Sequence, residues 1–177
     1  MKRAQITLAL VVALLVIAPF VLPAYHVTLL NYIGLAALVA LGLVVMTGVG
    51  GIVSFGQQAF VGIAAYATAA LTTMAGWSPW GGLVASLVLV AFSALVIGAV
   101  TLRLSGHYLS IATIAWGIAI YHLFGNLPLL GQFSGIDNVP PAAIAGFEFN
   151  TGQRSYFLIW CVLIATLVAA RNLLDSR

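Results

Sequence analysis

Apolar residues run along this chain in long blocks broken by short polar or glycine- and proline-bearing intervals. Six blocks stand out: Ile6 to Leu22, Leu29 to Thr47, Ala59 to Ala75, Trp80 to Leu102, Tyr108 to Leu127 and Ser155 to Ala170. A helix needs roughly 20 apolar residues to cross a ~30 Å hydrocarbon layer. The pattern therefore predicts an all-α, polytopic transmembrane helical bundle of about six spans. The spans must be helical because each unpaired backbone group in lipid costs several kcal/mol, and a helix pairs them within one segment. Runs such as Leu8-Ala9-Leu10-Val11-Val12-Ala13-Leu14-Leu15 are apolar on every face, whereas barrel strands alternate lipid-facing and polar positions.

Composition excludes a water-soluble domain. Hydrophobic residues make up 63% of the chain and charged residues 5%, with a mean hydropathy of +1.18; a water-facing surface needs about 25% charged residues. The formal net charge of +3 comes from scattered residues that form no nucleic-acid patch. They read instead as topology markers. With alternating spans, Lys2, Arg3, Arg103, Arg171 and Arg177 fall on one side and Arg154 on the other, which places both termini in the cytoplasm. The apolar run after Met1-Lys2-Arg3 is too long for a signal core, and Leu22-Pro23-Ala24-Tyr25 offers no small-x-small cleavage site, so it is read as helix one. The single Cys161 permits no disulfide or cysteine metal site within the chain and is assigned to packing.

The least ordinary segment follows helix two. Gly48, Gly50, Gly51 and Gly56 crowd into Gly48-Val49-Gly50-Gly51-Ile52-Val53-Ser54-Phe55-Gly56-Gln57-Gln58, and glycine disfavours helix by about 1 kcal/mol each relative to alanine. Residues 48–58 admit two readings. One is a cytoplasmic turn with Ser54 as N-cap of helix three. The other is a broken or re-entrant element, which membrane proteins tolerate only where it is buried in protein or lines a cavity. Elsewhere, Pro19 and Pro23 are read as the end of helix one, and Trp77, Pro79 and Trp80 as an outer turn. Pro128 to Arg154 forms a loop long enough to suggest a function. Small residues four apart predict close helix approach: Ala36/Ala40, Ala65/Ala69, Ala94/Gly98, Ala115/Ala119 and Ala165/Ala169.

Ionisable groups are missing from the middle of every expected span, which argues against a proton relay or voltage sensor of the chain's own. His26, His107 and His122 show no metal-ligand spacing. Gly51-Ile52-Val53-Ser54-Phe55-Gly56 has the form G-x-x-S-x-G, one residue longer than a nucleophile elbow, so an intramembrane enzyme built on Ser54 and His122 is a minor reading. No P-loop is present, and any nucleotide-driven work falls to another chain. These residues suit a pathway for a neutral, zwitterionic or largely apolar solute. Ser54, Gln57 and Gln58 are its best candidates, with exposed half-helix ends able to hold a carboxylate.

Three stretches carry a resemblance to a known family. Gly48 to Tyr66 resembles G-x-x-G-x-x-S-x-G-H-x-A-F-x-x-x-G-A-Y, Leu102 to Thr113 is similar to L-R-x-x-G-x-Y-L-A-I-x-T, and Leu130-Gly131-Gln132-Phe133-Ser134-Gly135-Ile136 is similar to L-T-G-G-x-x-G-I. These are motifs of the membrane permeases of branched-chain amino acid (LIV-type) ABC importers, kept here in order and spacing. The resemblance implies one transmembrane permease domain over residues 1–177 in the bacterial inner membrane. It implies a substrate pathway through Gly50, Gly51, Ser54, Gln57, Gln58, Tyr66 and Thr113. It further implies a second permease subunit, two cytoplasmic ATPase subunits and a periplasmic solute-binding protein as partners, with ATP hydrolysed by those partners and no cofactor in this chain. Gln57 replaces the usual histidine, Ile118 stands where a glutamate is expected, and Gly131-Gln132 departs from the double glycine, so the solute is left open among branched-chain and related amino acids, urea and short amides. The match covers only the N-terminal half to two-thirds of such a permease, which keeps a non-transporting scaffold, or a truncated subunit needing a companion chain, as the alternative.

Overall fold

The computed structural model describes residues 14–51, 54–101, 103–104, 106–144 and 146–175. Residues 14–21 are helical (α1), followed by α2 (Ala24–Gly50), α3 (Gln57–Thr73), α4 (Pro79–Thr101), α5 (His107–Asn126) and α6 (Gly152–Asp175). Between α5 and α6 lie two 3-10 turns, Pro128–Leu130 and Gln132–Ser134, and a two-stranded sheet of Ala143–Ile144 with Phe147–Glu148. The expected all-α membrane architecture is what forms. Four helices among the described residues, α2, α4, α5 and α6, are long and apolar enough to cross a membrane. The fifth, α3, has 17 residues, about 25 Å of helix, shorter than the ~30 Å layer. The first part of the span expected from Ile6, and the charges of Lys2, Arg3 and Arg177, lie outside the described residues.

Local chemistry sets the helix starts. Ser78 Oγ accepts the Gly81 N–H at 3.1 Å with Pro79 at the first helical position, so α4 begins one residue before the expected Trp80. Thr151 Oγ1 accepts the Arg154 N–H at 3.4 Å and starts α6 at Gly152 rather than Ser155. Helix α2 runs five residues earlier than the expected Leu29 and on through Gly48 to Gly50. Glycine's helix penalty comes partly from exposing backbone to water, a term that shrinks in lipid.

Packing is inverted relative to a soluble protein. Val88, Phe92 and Leu95 stand outward on α4 with Leu95 73% exposed, while Ser54, Thr72, Ser86, Thr101 and Thr113 are all buried. The buried hydroxyls of Thr72, Ser86 and Thr101 bond back to carbonyls of their own helices, Thr68, Leu83 and Ile97, at 2.6–2.8 Å. An apolar outside with a small, internally satisfied polar inside is stable only against lipid. Contacts cluster the chain into two compact units, one of the described residues up to Gly42 with those from Glu148 onward, the other Leu43–Phe147.

In the first unit two prolines four residues apart explain how α6 attaches. Proline has no N–H and cannot donate to the carbonyl four residues before it. Pro19 thus frees the Leu15 carbonyl, which the Tyr156 hydroxyl satisfies at 2.8 Å. Pro23 frees the Pro19 carbonyl, which the Gln153 side-chain amide satisfies at 3.0 Å. Tyr156 is 1% exposed, and Phe20 stacks on Phe157 with ring centroids 5.9 Å apart. Asn31 donates to the Gly152 carbonyl at 2.9 Å, and Gly34 lets Ile159 approach so closely that a Cβ would sit 2.8 Å from its Cγ2. Helix α1 thus ends at residue 21, between Pro19 and Pro23, where these prolines were expected to end it. Cys161, assigned to packing from the sequence, is exposed on α6.

Tyr156→Phe is expected to lower the unfolding free energy of the detergent-solubilised chain by about 1 kcal/mol, because it leaves the Leu15 carbonyl without a donor. Pro19→Ala restores a backbone N–H four residues after Leu15, and in that background Tyr156→Phe should cost at most about half as much. Equal costs in the two backgrounds, read from denaturation midpoints, contradict the assignment.

Candidate functional site

The helix break predicted within residues 48–58 is present. Helix α2 ends at Gly50, Gly51 takes the left-handed conformation at φ +62°, and residues 54–56 are non-helical before α3 starts at Gln57. Glycine adopts that φ without steric cost. Ser54 does not cap α3: the cap position is Gly56, with no side-chain cap bond, and Ser54 Oγ instead accepts the Gly56 N–H at 3.3 Å in a local turn. Ser54 and Gly56 are buried.

Their burial comes from α5. The Phe55 N–H donates to Thr113 Oγ1 at 3.1 Å, and Thr113 Oγ1 donates to the Ser110 carbonyl at 2.9 Å. A Cβ on Gly56 would lie 3.2 Å from the Thr113 carbonyl, so glycine is what lets the break approach α5 this closely. Thr113 stands six residues into α5, about 9 Å along its axis. The backbone of residues 54–56 is thus held against α5 within the Leu43–Phe147 unit.

Two cavities are stacked along α5. One, of about 210 Å³, takes Leu109, Thr113 and Trp116 from the N-terminal half of α5 and is completed by Ser54, Gly56, Phe60, Ile97, Gly98 and Thr101. The other, of about 430 Å³, takes Gly117, Ile118, Tyr121, Phe124 and Gly125 from the C-terminal half and is completed by Gln58, Tyr66 and Phe133. Ala59 lines both. At the division Gln58 lies across Gly117, where a Cβ would come within 2.6 Å of Gln58 Nε2. Gln58 is exposed, and among the described residues its side-chain amide makes no hydrogen bond. The larger volume falls within the roughly 300–1,000 Å³ usual for small-molecule sites, and the lining has their mixture of aromatic walls and a few polar groups.

The residues expected to act together divide among these spaces. Ser54 and Thr113 meet in the smaller cavity, Gln58 and Tyr66 in the larger, where Tyr66 packs on Phe124 at 4.8 Å. Gln57 turns away to Met46, its Nε2 lying 3.6 Å from the sulfur. Gly50 is the last residue of α2, and Gly51 borders a separate surface cleft with Phe55 and His107. Ile118, at the expected glutamate position, lines the larger cavity. His122 packs edge-on against Tyr121 nine residues past Thr113, about 14 Å along α5, so it is not brought to Ser54. Sequence reading missed Gly117 and Phe133. The small pair it chose on α5, Ala115/Ala119, is exposed, while the buried seam is Thr113, Gly117 and Ile120, a four-then-three spacing that was the available signal.

A multi-pass helical membrane protein with a buried helix break and a solute-sized, uncharged cavity is the class these features define. A model of the family described as branched-chain amino acid transport system / permease component matches residues 25–176, and the chain belongs to that family. It is 32% identical over 147 residues to the high-affinity branched-chain amino acid transport system permease protein LivM of Escherichia coli (strain K12), covering 81% of this chain and 35% of that protein. The protein of the same name in Salmonella typhimurium (strain LT2) is 32% identical over 146 residues, 80% of this chain and 34% of that one. The chain spans about a third of the length of the curated relatives it matches. No solved structure matches it.

Thr113→Val keeps shape but removes the acceptor of the Phe55 N–H. Hydrogen exchange at the Phe55 amide should accelerate about five- to tenfold, as expected for a lost bond of about 1 kcal/mol, while the Gly56 amide, held by Ser54, changes little. Unaltered exchange at Phe55 contradicts the geometry.

Proposed function

We propose that this chain is permease sequence of an ABC importer for branched-chain or related amino acids in the bacterial inner membrane, with both termini cytoplasmic. In this reading it forms part of the translocation pathway and moves solute by alternating access. The pathway follows α5: Ser54 and Thr113 flank its narrower end, Gln58 and Tyr66 its wider end, and Gly50 and Gly51 provide the backbone freedom that ends α2. Gln57, bonded to Met46, steadies the first turn of α3 rather than touching solute. The chain performs no catalysis and carries no cofactor. ATP is hydrolysed by two cytoplasmic ATPase subunits, and a second permease subunit and a periplasmic binding protein complete the assembly.

The observation that carries this reading is the non-helical segment buried against Thr113 beside two stacked cavities. Unwound backbone inside a helix layer is how membrane transporters present peptide dipoles to a solute without burying charge. The cavity linings hold hydroxyls, an amide and aromatic rings but no ionised side chain, which suits a zwitterion with an apolar side chain better than an ion.

Uptake of labelled leucine by cells expressing the chain with its partner subunits tests the proposal. Gln58→Leu is expected to lower uptake about tenfold or more at unchanged membrane abundance, the equivalent of losing about 1.4 kcal/mol of solute hydrogen bonding. Absence of uptake by the parent, with the chain in the membrane and its partners bound, favours a non-transporting scaffold. Uptake unaffected by the substitution removes Gln58 from the pathway.

A further inference from the structure

The larger cavity is bordered on its loop side by a residue that neither the periodicity of the helices nor the family motif singles out. Phe133 sits in the second 3-10 turn after α5, at a variable position of the L-T-G-G-x-x-G-I pattern, and its ring folds back onto the helix that precedes it. The ring lies against Gly125 so closely that any Cβ there would overlap it, and it packs on Tyr121 with centroids 5.8 Å apart. Phe133 is nevertheless 63% exposed: one edge is seated in the slot while the rest of the ring is open.

The segment carrying it is a small preformed unit. Backbone bonds from Leu130 and Gln132 to the Leu127 carbonyl, from Ser134 to Gly131 and from Gly135 to Gln132 close it at 3.1–3.3 Å. Gly131 and Gly135 take φ of +74° and +81°, and a Cβ on Gly131 would overlap the Gly135 carbonyl. Gln132 holds φ +56° without being glycine, a conformation that costs a side-chain-bearing residue roughly 1–2 kcal/mol. A strained turn whose defining bonds are internal can shift against α5 as one body and carry the ring out of its slot.

We propose that Phe133 is the plug of the larger cavity and stands where the apolar side chain of the incoming amino acid goes. An aromatic side chain of this same chain lies against Gly125 and Tyr121 in a cavity whose lining also includes Phe124, Gln58 and Tyr66. That arrangement brings an apolar group from the loop and polar groups from α3 to one cavity. A zwitterion with an apolar side chain displaces the ring and inherits its contacts, so Phe133 sets both access and side-chain size. This inference rests on the permease reading, but its test does not need transport.

A reporter cysteine placed at Gly62, which lines the cavity and whose added Cβ would meet only Phe124 at 3.5 Å, with Cys161→Ser to remove the native thiol, is treated with a membrane-impermeant maleimide in spheroplasts. Phe133→Ala is expected to raise the labelling rate at least about tenfold, and Gly125→Ala, whose Cβ takes the place of the ring while leaving Phe133 itself unaltered, should do the same. Phe133→Tyr should label like the parent. Leucine added before the reagent should slow labelling in the two open variants. Acceleration in neither, or acceleration that leucine does not slow, overturns the proposal. Labelling requires neither ATP nor the partner subunits, so a failure here is separable from a failure of uptake.

Discussion

The constraint on which this structure depends is that a backbone polar group freed from its helix must find a partner inside the protein, because the lipid outside has none to give. Three such groups are visible, and each is answered by a side chain of another helix. The Leu15 and Pro19 carbonyls, released by Pro19 and Pro23, are met by Tyr156 and Gln153. The Phe55 N–H, released where α2 stops, is met by Thr113. In each unit a break in one helix specifies which helix must pack against it, so the breaks work as addresses. Apolar side chains, equally content against lipid or protein, supply little of that specificity.

The same constraint links the architecture to the proposed function. On the proposed permease reading, a solute in cavities lined by no ionised side chain is recognised through dipoles, and dipoles become available only where backbone leaves the helix or where amides and hydroxyls face a cavity. The α2–α3 break provides the first and Gln58 with Tyr66 the second. Gly56 and Gly117 make the arrangement fit: one allows the break to lie on Thr113, the other lets Gln58 lie across α5 between the two spaces.

What the sequence made legible follows from this. Long uncharged runs gave the helices because burial in lipid is a property of composition, and four glycines gave the break because their helix penalty is local. The ends were less legible. Gly48 and Gly50 remained helical, and Ser54 turned on Gly56 instead of capping α3, since the approach of Thr113, 58 residues away, fixed the local geometry. Pro19 and Pro23 marked the end of α1 because their cost is local, whereas the partner of the freed Leu15 carbonyl, Tyr156, lies 141 residues from it. Gly117 and Phe133 escaped for the same reason: a glycine slot has meaning only once the residue filling it is known. The grouping of Ser54 with Thr113 was legible through the motifs. The separation of Gln57 from Gln58 was not, because adjacent helical positions point about 100° apart and only the neighbours decide which faces the cavity.

The central claim is that the segment after α2 is unwound within protein rather than wetted at the membrane surface. Nitroxide labels placed singly at positions 54, 55 and 56 in bilayers, with collision rates measured for oxygen and for a water-soluble nickel chelate, test it most directly. Positions 54 and 56 should be shielded from both reagents, with position 55, whose phenylalanine is 54% exposed, accessible to at least one. Collision with the nickel chelate at all three positions as frequent as at Asn150 in the loop would contradict the account.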